Sequence, residues 1–246
     1  AWSRLRDAMP TDTTLVEYFE VRQHLHALVI DRRGITVVPI GPTSAIRERS
    51  QFLHFQLSRF ARGRAYTRRE TTELAAVTEG HLRVLHGALV APLERHVRGQ
   101  SLVIVPHGFL HRLPFHALSG RRGALIDQFD VSYAPSATIW YLCRTAPDAR
   151  GRGALVMGVP DRATPEVPKE VKAVAASLPS ATLVLGREAT RERLQRAGRG
   201  RRFLHLATHG VFRADNPLFS SIRLSDGPLH VFDLYDLHLP VDMVTL

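Results

Sequence analysis

The second half of the sequence alternates short apolar runs with amphipathic stretches, and this alternation most limits the folds open to the chain. The apolar runs cover residues 154–159, 181–185 and 203–208. Between them, residues 168–178 and 189–197 repeat apolar side chains at helical spacing. A strand–helix–strand–helix–strand order needs crossover connections between parallel strands, so it predicts an α/β sheet. A further apolar run, 242–246, predicts one more strand.

The first half opens with a different pattern. Residues 14–21 and 25–40 are rich in Val, Ile and aromatic residues, and an Asp-Arg-Arg-Gly turn divides the second run. This pattern is typical of antiparallel strands. Residues 101–106 form a short continuous apolar run, as expected of a buried strand.

Helical stretches and a linker complete this outline. Leucines at helical spacing predict a helix over residues 82–93, and we expect Pro92 to kink it. The segment 144–153 is rich in Pro, Gly and Arg, so it is the best linker candidate.

Charge and cysteine content limit the functional classes. The 246 residues carry a net charge of +10, and only Lys169 and Lys172 among the cations are lysines. The arginines are scattered over predicted helices and loops, so nucleic acid is an unlikely partner. The single cysteine, Cys143, excludes a disulfide within the chain and favours a cytoplasmic protein. No apolar run approaches the roughly 20 residues of a membrane span. Because the first residue is not Met, we expect an excerpt from a longer polypeptide.

Thirteen histidines raise the question of a metal site. His205 and His209 lie in a predicted strand, where four residues span about 13 Å. Two ligand nitrogens must each lie about 2 Å from a single zinc ion, so this pair is not expected to chelate. His107, His111 and His116 lie in a segment interrupted by Gly and Pro. We therefore expect neither a metal site nor a cofactor.

His209 stands out among the histidines. It ends an apolar run and precedes Gly210, and a glycine lets the backbone approach a ligand closely. An imidazole at a strand end can act as a general acid and base near neutral pH. From the pattern alone, a strand-end histidine without any role is equally consistent. His205, in the middle of the strand, is expected to be structural and hydrogen-bonded.

Several motifs together resemble the CHAT domain, a caspase-like, separase-related cysteine peptidase module of bacteria. They include FLHLATHGVF, NPLFSSIRLSDG and VDMVTL, together with earlier stretches such as LVIVPHGFLHRLPFHAL, YAPSATIWYL, LVMGVPD and LVLGREAT. No single motif is decisive, and the specific signal is their occurrence together in family order. The resemblance runs from about residue 5 to 246. It implies a caspase-like α/β/α sandwich with a mostly parallel central sheet, preceded by a degenerate caspase-like half. The implied boundaries are 1–147 for the scaffold half and 148–246 for the catalytic-type half.

The resemblance also implies roles for individual residues. His209 is the expected catalytic acid and base, and the backbone N–H of Gly210 is an expected oxyanion donor. The family's nucleophile lies in a Leu-Ser-Ala-Cys type motif, whereas this chain reads Val-Thr-Leu and stops, so the cysteine is expected just after Leu246. Cys143, on a predicted helix, is expected to be a small buried residue rather than the nucleophile.

Three functions compete at this stage. The first is a cysteine endopeptidase fragment acting in regulated proteolysis such as cell death or defence, with a polypeptide substrate and a helical-repeat or other regulatory domain in the same parent chain. The second is a non-catalytic CHAT-like scaffold, and the third is an arginine-rich nucleic-acid binder. Asp161 could line a pocket for a basic substrate side chain, although an ordinary turn residue is the favoured interpretation.

Overall fold

The chain forms two units, and each is built around one main sheet. The computed structural model describes residues 2–61, 68–148 and 151–246. It divides the chain into two units, Ala1–Ala146 and Pro147–Leu246. Residues 149 and 150 of the expected linker lie outside the described residues.

The first unit contains a five-stranded mixed sheet and four helices. The strands are β1 (Thr13–Val21), β2 (His24–Asp31), β3 (Gly34–Pro42), β4 (Ser101–Val105), β5 (Ser119–Gly120), β6 (Gly123–Ala124) and β7 (Asp130–Tyr133). The helices are α1 (Trp2–Ala8), α2 (Thr43–Ala61), α3 (Arg68–Leu89) and α4 (Ala137–Thr145). The order in the main sheet is β3-β2-β1-β4-β7, and β5 and β6 form a separate hairpin.

The predicted antiparallel strands are confirmed. β1, β2 and β3 pair antiparallel, whereas β4 lies parallel to both β1 and β7. The turn between β2 and β3 is closed by Asp31, whose Oδ1 accepts bonds from the N–H groups of Arg33 and Gly34. Helices cover both faces of the sheet: Leu53 and Leu85 belong to the core on one face, and residues of α1 and α4 pack on the other.

The prediction that Pro92 kinks a helix is wrong. α3 ends at Leu89, and Ala91–Leu93 form a separate 3-10 turn. A proline has no N–H to donate and its ring clashes with the preceding helical turn, so the chain ends the helix before Pro92 rather than bending it.

The prediction that Cys143 is buried is also wrong, because its side chain is exposed. α4 packs through Ala137 and Trp140, while Ile139 and Leu142 lie 43% and 53% exposed. The helix carries apolar residues on most of its circumference, so spacing alone could not show which face turns inward.

The second unit is built on a four-stranded parallel sheet and a smaller antiparallel sheet. The strands of the two sheets together are β8 (Ala154–Gly158), β9 (Ala181–Leu185), β10 (Phe203–Ala207), β11 (Gly210–Val211), β12 (Ser221–Leu224), β13 (Gly227–His230) and β14 (Met243–Thr245). Its helices are α5 (Val167–Ser177) and α6 (Arg191–Gly198). The parallel sheet has the order β14-β10-β8-β9, and β11, β12 and β13 form a small antiparallel sheet.

This arrangement confirms the predicted α/β class with a mostly parallel sheet. α5 packs Val167 and Val171 onto one face of the parallel sheet. Leu194 of α6 packs on the other face, together with Leu224 and Leu229 of the small sheet. Both faces are therefore covered, which explains why β8 is buried along its whole length. Among the described residues, no helix is both long and apolar enough to cross a membrane.

Gly158, the last residue of β8, makes this close packing possible. A Cβ there would lie 2.9 Å from Cγ1 of Val167 and of Val171, and 3.0 Å from Cδ1 of Leu185. We expect Gly158→Ala to lower the free energy of unfolding by about 1–3 kcal/mol, because the core has no room for the methyl group. Thermal and denaturant unfolding measure the change.

The control is Gly80→Ala on α3, where a Cβ would have no neighbour within 4 Å. There the substitution should stabilise by up to about 1 kcal/mol, because alanine favours a helix over glycine. Equal effects of the two substitutions would contradict the packing argument.

Candidate functional site

The candidate site lies where neighbouring parallel strands end. β10 lies between β8 and β14, and all three run in the same direction. The carboxyl ends of parallel strands meet at one edge of a sheet, which is the usual ligand edge of such folds. His209 follows β10, and Asp161 follows β8. His209 and the end of the last strand therefore lie at the same edge of the sheet.

The backbone of His209 is fixed by the small sheet. Its carbonyl oxygen accepts a 2.9 Å bond from the N–H of Arg223, the residue before Leu224 in β12. The hydroxyl of Thr208 donates a 2.5 Å bond to the carbonyl of Arg223. These two hydrogen bonds fix the backbone at Thr208 and His209, where the chain leaves the parallel sheet.

The imidazole of His209 contacts a carboxylate. His209 Nε2 lies 3.2 Å from Oδ1 of Asp161. The His209 side chain is 41% exposed and that of Asp161 is 21% exposed. A tautomer protonated on Nε2 would donate to this carboxylate and leave Nδ1 as the basic nitrogen.

Asp161 is held by its own turn and by an arginine. Its Oδ1 accepts bonds from the N–H groups of Ala163 and Thr164 and from the Thr164 hydroxyl. Its Oδ2 lies 3.2 Å from Nη1 of Arg223. Partial desolvation raises the pKa of this carboxyl, but its hydrogen bonds and the nearby His209 outweigh that effect, so the pKa lies below its ordinary value of 3.8. Asp161 is therefore a stable anion beside the imidazole.

Gly210 presents its N–H away from β12. Gly210 faces Ile222, and the bond from the Arg223 N–H to the His209 oxygen marks the preceding pair as the hydrogen-bonded one. Because the two kinds of pair alternate along an antiparallel ladder, the N–H of Gly210 points to the open side of β11. A Cβ on Gly210 would meet only Ser221 O, at 3.9 Å, so the space beside it is open.

His205 has a different environment from His209. Its side chain is 11% exposed, Nδ1 lies 2.7 Å from Oγ1 of Thr245, and Nε2 lies 3.2 Å from Oε1 of Glu170. Its hydrogen bond joins β10 to β14, whereas Nε2 lies near Glu170 of α5 without a hydrogen-bond partner among the described residues. The prediction that His205 is a buried, hydrogen-bonded residue is confirmed.

In the remaining histidine cluster, His116 has a partner of its own. His116 Nδ1 lies 2.9 Å from the hydroxyl of Tyr133. Within the described residues, no group of three or more His, Cys, Asp or Glu side chains is placed to hold a metal ion. His205 and His209 lie near different carboxylates, those of Glu170 and Asp161.

An apolar cavity of about 490 Å³ adjoins Gly210. Val211 and Phe212 of the chain after His209 line it, as do Val244 of the last strand and Leu246 just after that strand. Apart from Ser220 and Ser221, its other lining residues are leucines, isoleucines and valines. The site thus combines an acid–base pair with an adjacent surface suited to apolar side chains.

The sequence did not reveal three members of the site. Arg223 lies 62 residues from Asp161, and Thr245 lies 40 residues from His205. Glu170 looks like an ordinary solvent-facing residue of an amphipathic helix. The sequence did contain a signal for Thr245, because two paired strands can place a polar residue of one beside a polar residue of the other. That signal could be used only with the register of β10 and β14, which the sequence does not give.

Comparison with known families gives a match between residues 79–246 and the family model of the CHAT domain. This range covers more than half of the chain and includes Asp161, His209 and Gly210. Residues 5–78, to which the resemblance also extended, lie outside the match. No curated protein sequence matches the chain significantly.

The two histidines should respond differently to truncation. His205→Ala removes a buried hydrogen bond to Thr245, so it should lower the free energy of unfolding by about 1–3 kcal/mol. His209→Ala removes a partly exposed contact and should cost about 0.5 kcal/mol or less. Denaturant unfolding of both variants measures the difference, and a larger loss for His209→Ala would contradict these environments.

Asp161 should contribute to the acid sensitivity of the second unit. Because its pKa in the folded chain is lowered from 3.8, its stabilising effect is complete above that value and is lost as pH falls through the folded-state pKa. Asp161→Asn should therefore lose less thermal stability than the wild type between about pH 5 and about pH 3. The control is Asp236→Asn, an exposed carboxylate of the same unit. Identical pH profiles for Asp161→Asn and the wild type would contradict the assignment.

Proposed function

We propose, from the premise that the chain belongs to the CHAT domain family, that its second unit is the histidine-bearing side of a cysteine endopeptidase centre. The family makes the chain a caspase-like, peptidase-related module. The observation that carries the catalytic proposal is the contact between His209 and Asp161 at the carboxyl edge of the parallel sheet. An imidazole oriented by a carboxylate is the arrangement that nucleophilic catalysis requires of its acid–base group.

The register of the last strand supports a thiol opposite His209. Phe203 is level with Met243, and His205 is level with Thr245. Each step along β10 is matched by a step along β14, so a residue about three positions beyond Leu246 would be level with His209. A cysteine of the parent polypeptide at that position would share a substrate with this imidazole.

The proposed reaction uses His209 twice. Nδ1 takes the proton of the thiol, and the thiolate sulfur forms a bond to the peptide carbonyl carbon. As the carbon–nitrogen bond breaks, Nδ1–H gives its proton to the leaving amine, which leaves a thioester. Nδ1 then removes a proton from water, whose oxygen attacks the thioester, and the sulfur departs as thiolate.

Gly210 is the proposed oxyanion donor on the chain described here. Its N–H points to the open side of β11, one residue after the acid–base group. A backbone N–H is well suited to this task because it is held in place by the ladder and needs no reorganisation during the reaction.

Asp161 is best suited to orient His209. Its two oxygens already contact His209 and Arg223. A basic substrate side chain that paired with Asp161 would have to share Oδ2 with Arg223. The contacts therefore support a positioning role for Asp161 over the alternative of a binding pocket for a basic side chain.

The apolar cavity beside Gly210 supports a polypeptide substrate. Val211 and Phe212 follow the proposed oxyanion donor directly and line this cavity. Phe212 is 78% exposed, so it is available to contact an apolar side chain of an extended peptide. The second candidate function, a non-catalytic interaction module, would use the same apolar surface without the thiol.

The test is peptide hydrolysis by the chain extended through the residues that follow Leu246 in its gene. We expect a cysteine within about three residues and hydrolysis of a mixed peptide library. His209→Ala should lower kcat by roughly 10²–10⁴-fold, because acid–base catalysis of this kind contributes that much. Asp161→Asn should lower kcat more than it changes KM.

Two controls separate the proposal from its alternatives. His238→Ala, at an exposed position of the same unit, and Cys143→Ala, on α4 of the first unit, should both leave hydrolysis unchanged. The 246-residue chain itself should be inactive. A parent with Ser, Gly or Ala at the strand exit and no cysteine nearby would contradict the peptidase proposal and support the interaction module.

A further inference from the structure

The first unit contains a second cavity, of about 860 Å³, that plays no part in the proposed peptidase centre. It lies between the end of α3, the turn that follows α3, and the β5–β6 hairpin. Its size is within the range of small-molecule sites.

Cationic side chains dominate the lining of this cavity. Arg83 comes from α3, whereas Arg121 and Arg122 form the turn of the hairpin. Glu94 is the carboxylate that lines it. Arg83 pairs with Glu79, but within the part of the chain that the structure describes neither Arg121 nor Arg122 forms an ion pair with a carboxylate. The cavity therefore carries an excess of positive charge.

A buried imidazole also lines this cavity. The side chain of His86 is 7% exposed, and its Nε2 is 3.8 Å from Oε1 of Glu94, too far for a hydrogen bond. The hairpin closes tightly over the ring: a Cβ at Gly120 would lie 2.5 Å from Cε1 of His86. His86 is thus a polar group at the wall of a cationic cavity, and no described residue gives its side chain a hydrogen bond.

The electrostatic environment of His86 is compatible with the binding of an anion in this cavity. Burial lowers the pKa of His86, Glu94 partly raises it, and the nearby Arg122 lowers it further. The imidazole is therefore neutral at physiological pH in the unliganded chain. An anion in the cavity would favour the protonated ring and add a further charged donor to the site.

We propose that this cavity binds a phosphorylated small molecule that carries at least two adjacent phosphate groups. Guanidinium groups match phosphate oxygens in a bidentate manner, and two neighbouring arginines on a hairpin turn can contact adjacent phosphates. Ser119 and Gln128, which also line the cavity, supply neutral polar groups for the remainder of the ligand. The cavity is concave and bounded by three elements, which favours a small ligand over a nucleic-acid strand lying across an open surface.

The test is calorimetric titration of the 246-residue chain with inorganic triphosphate at low salt. Arg121→Ala/Arg122→Ala should weaken binding at least about tenfold, because each charge-assisted hydrogen bond contributes substantially. The matched control is Arg32→Ala/Arg33→Ala, which removes the same charge from the exposed turn between β2 and β3. It should change affinity by less than about twofold, as long-range charge effects are screened.

A second measurement follows the protonation of His86 as the cavity is filled. Its NMR titration should show a higher pKa with triphosphate than without, and the Arg121→Ala/Arg122→Ala variant should lose this response. Equal weakening by the two arginine pairs, absence of triphosphate binding, or an unshifted His86 would overturn the proposal. Tighter binding of citrate would overturn the phosphate assignment, and binding of a single-stranded oligonucleotide without triphosphate binding would favour nucleic acid instead.

Discussion

The parallel pairing of β10 with β8 and β14 is the constraint on which the second unit depends. Parallel neighbours require a crossover between each pair, so their carboxyl ends all reach the same edge of the sheet. This brings Asp161 and His209 into contact although they are 48 residues apart in sequence. The same pairing fixes the register of the last strand, in which Thr245 lies beside His205. The chemistry of the site is thus a consequence of strand order.

His205 and His209 show how two histidines only four positions apart have different environments. His205 lies inside the strand, is bonded to Thr245, and is nearly enclosed. Two residues after the strand ends, His209 is 41% exposed and contacts a single carboxylate. The structural imidazole holds the last strand beside β10, and that alignment is what a reacting group at the strand exit would need. The enclosed imidazole and the exposed imidazole are therefore separated by four residues of one segment.

Local pattern was enough to predict the parallel strands and the helices of the second unit and the position of His209. Apolar runs and helical spacing are properties of a few consecutive residues, so they can be read without the fold. The Arg223–Asp161 contact and the small sheet of β11, β12 and β13 depend on how distant segments meet, and no short pattern contains that information. The prediction that Cys143 is buried was wrong for a related reason. α4 is apolar on several sides, and only its packing through Trp140 decides which side is buried.

The overall positive charge of the chain is a poor guide to where an anion would bind. In the second unit, several arginines are matched by nearby carboxylates: Arg191 lies 2.9 Å from Asp233, Arg202 lies 2.5 Å from Asp242, and Arg223 contacts Asp161. These pairs fix turns and strand ends, and each arginine in them is neutralised by its partner. The hairpin turn of Arg121 and Arg122 differs, because these guanidiniums border a cavity with one carboxylate and a neutral imidazole. An anion gains most where cations are brought together by the backbone without being neutralised, since their mutual repulsion is relieved when it binds.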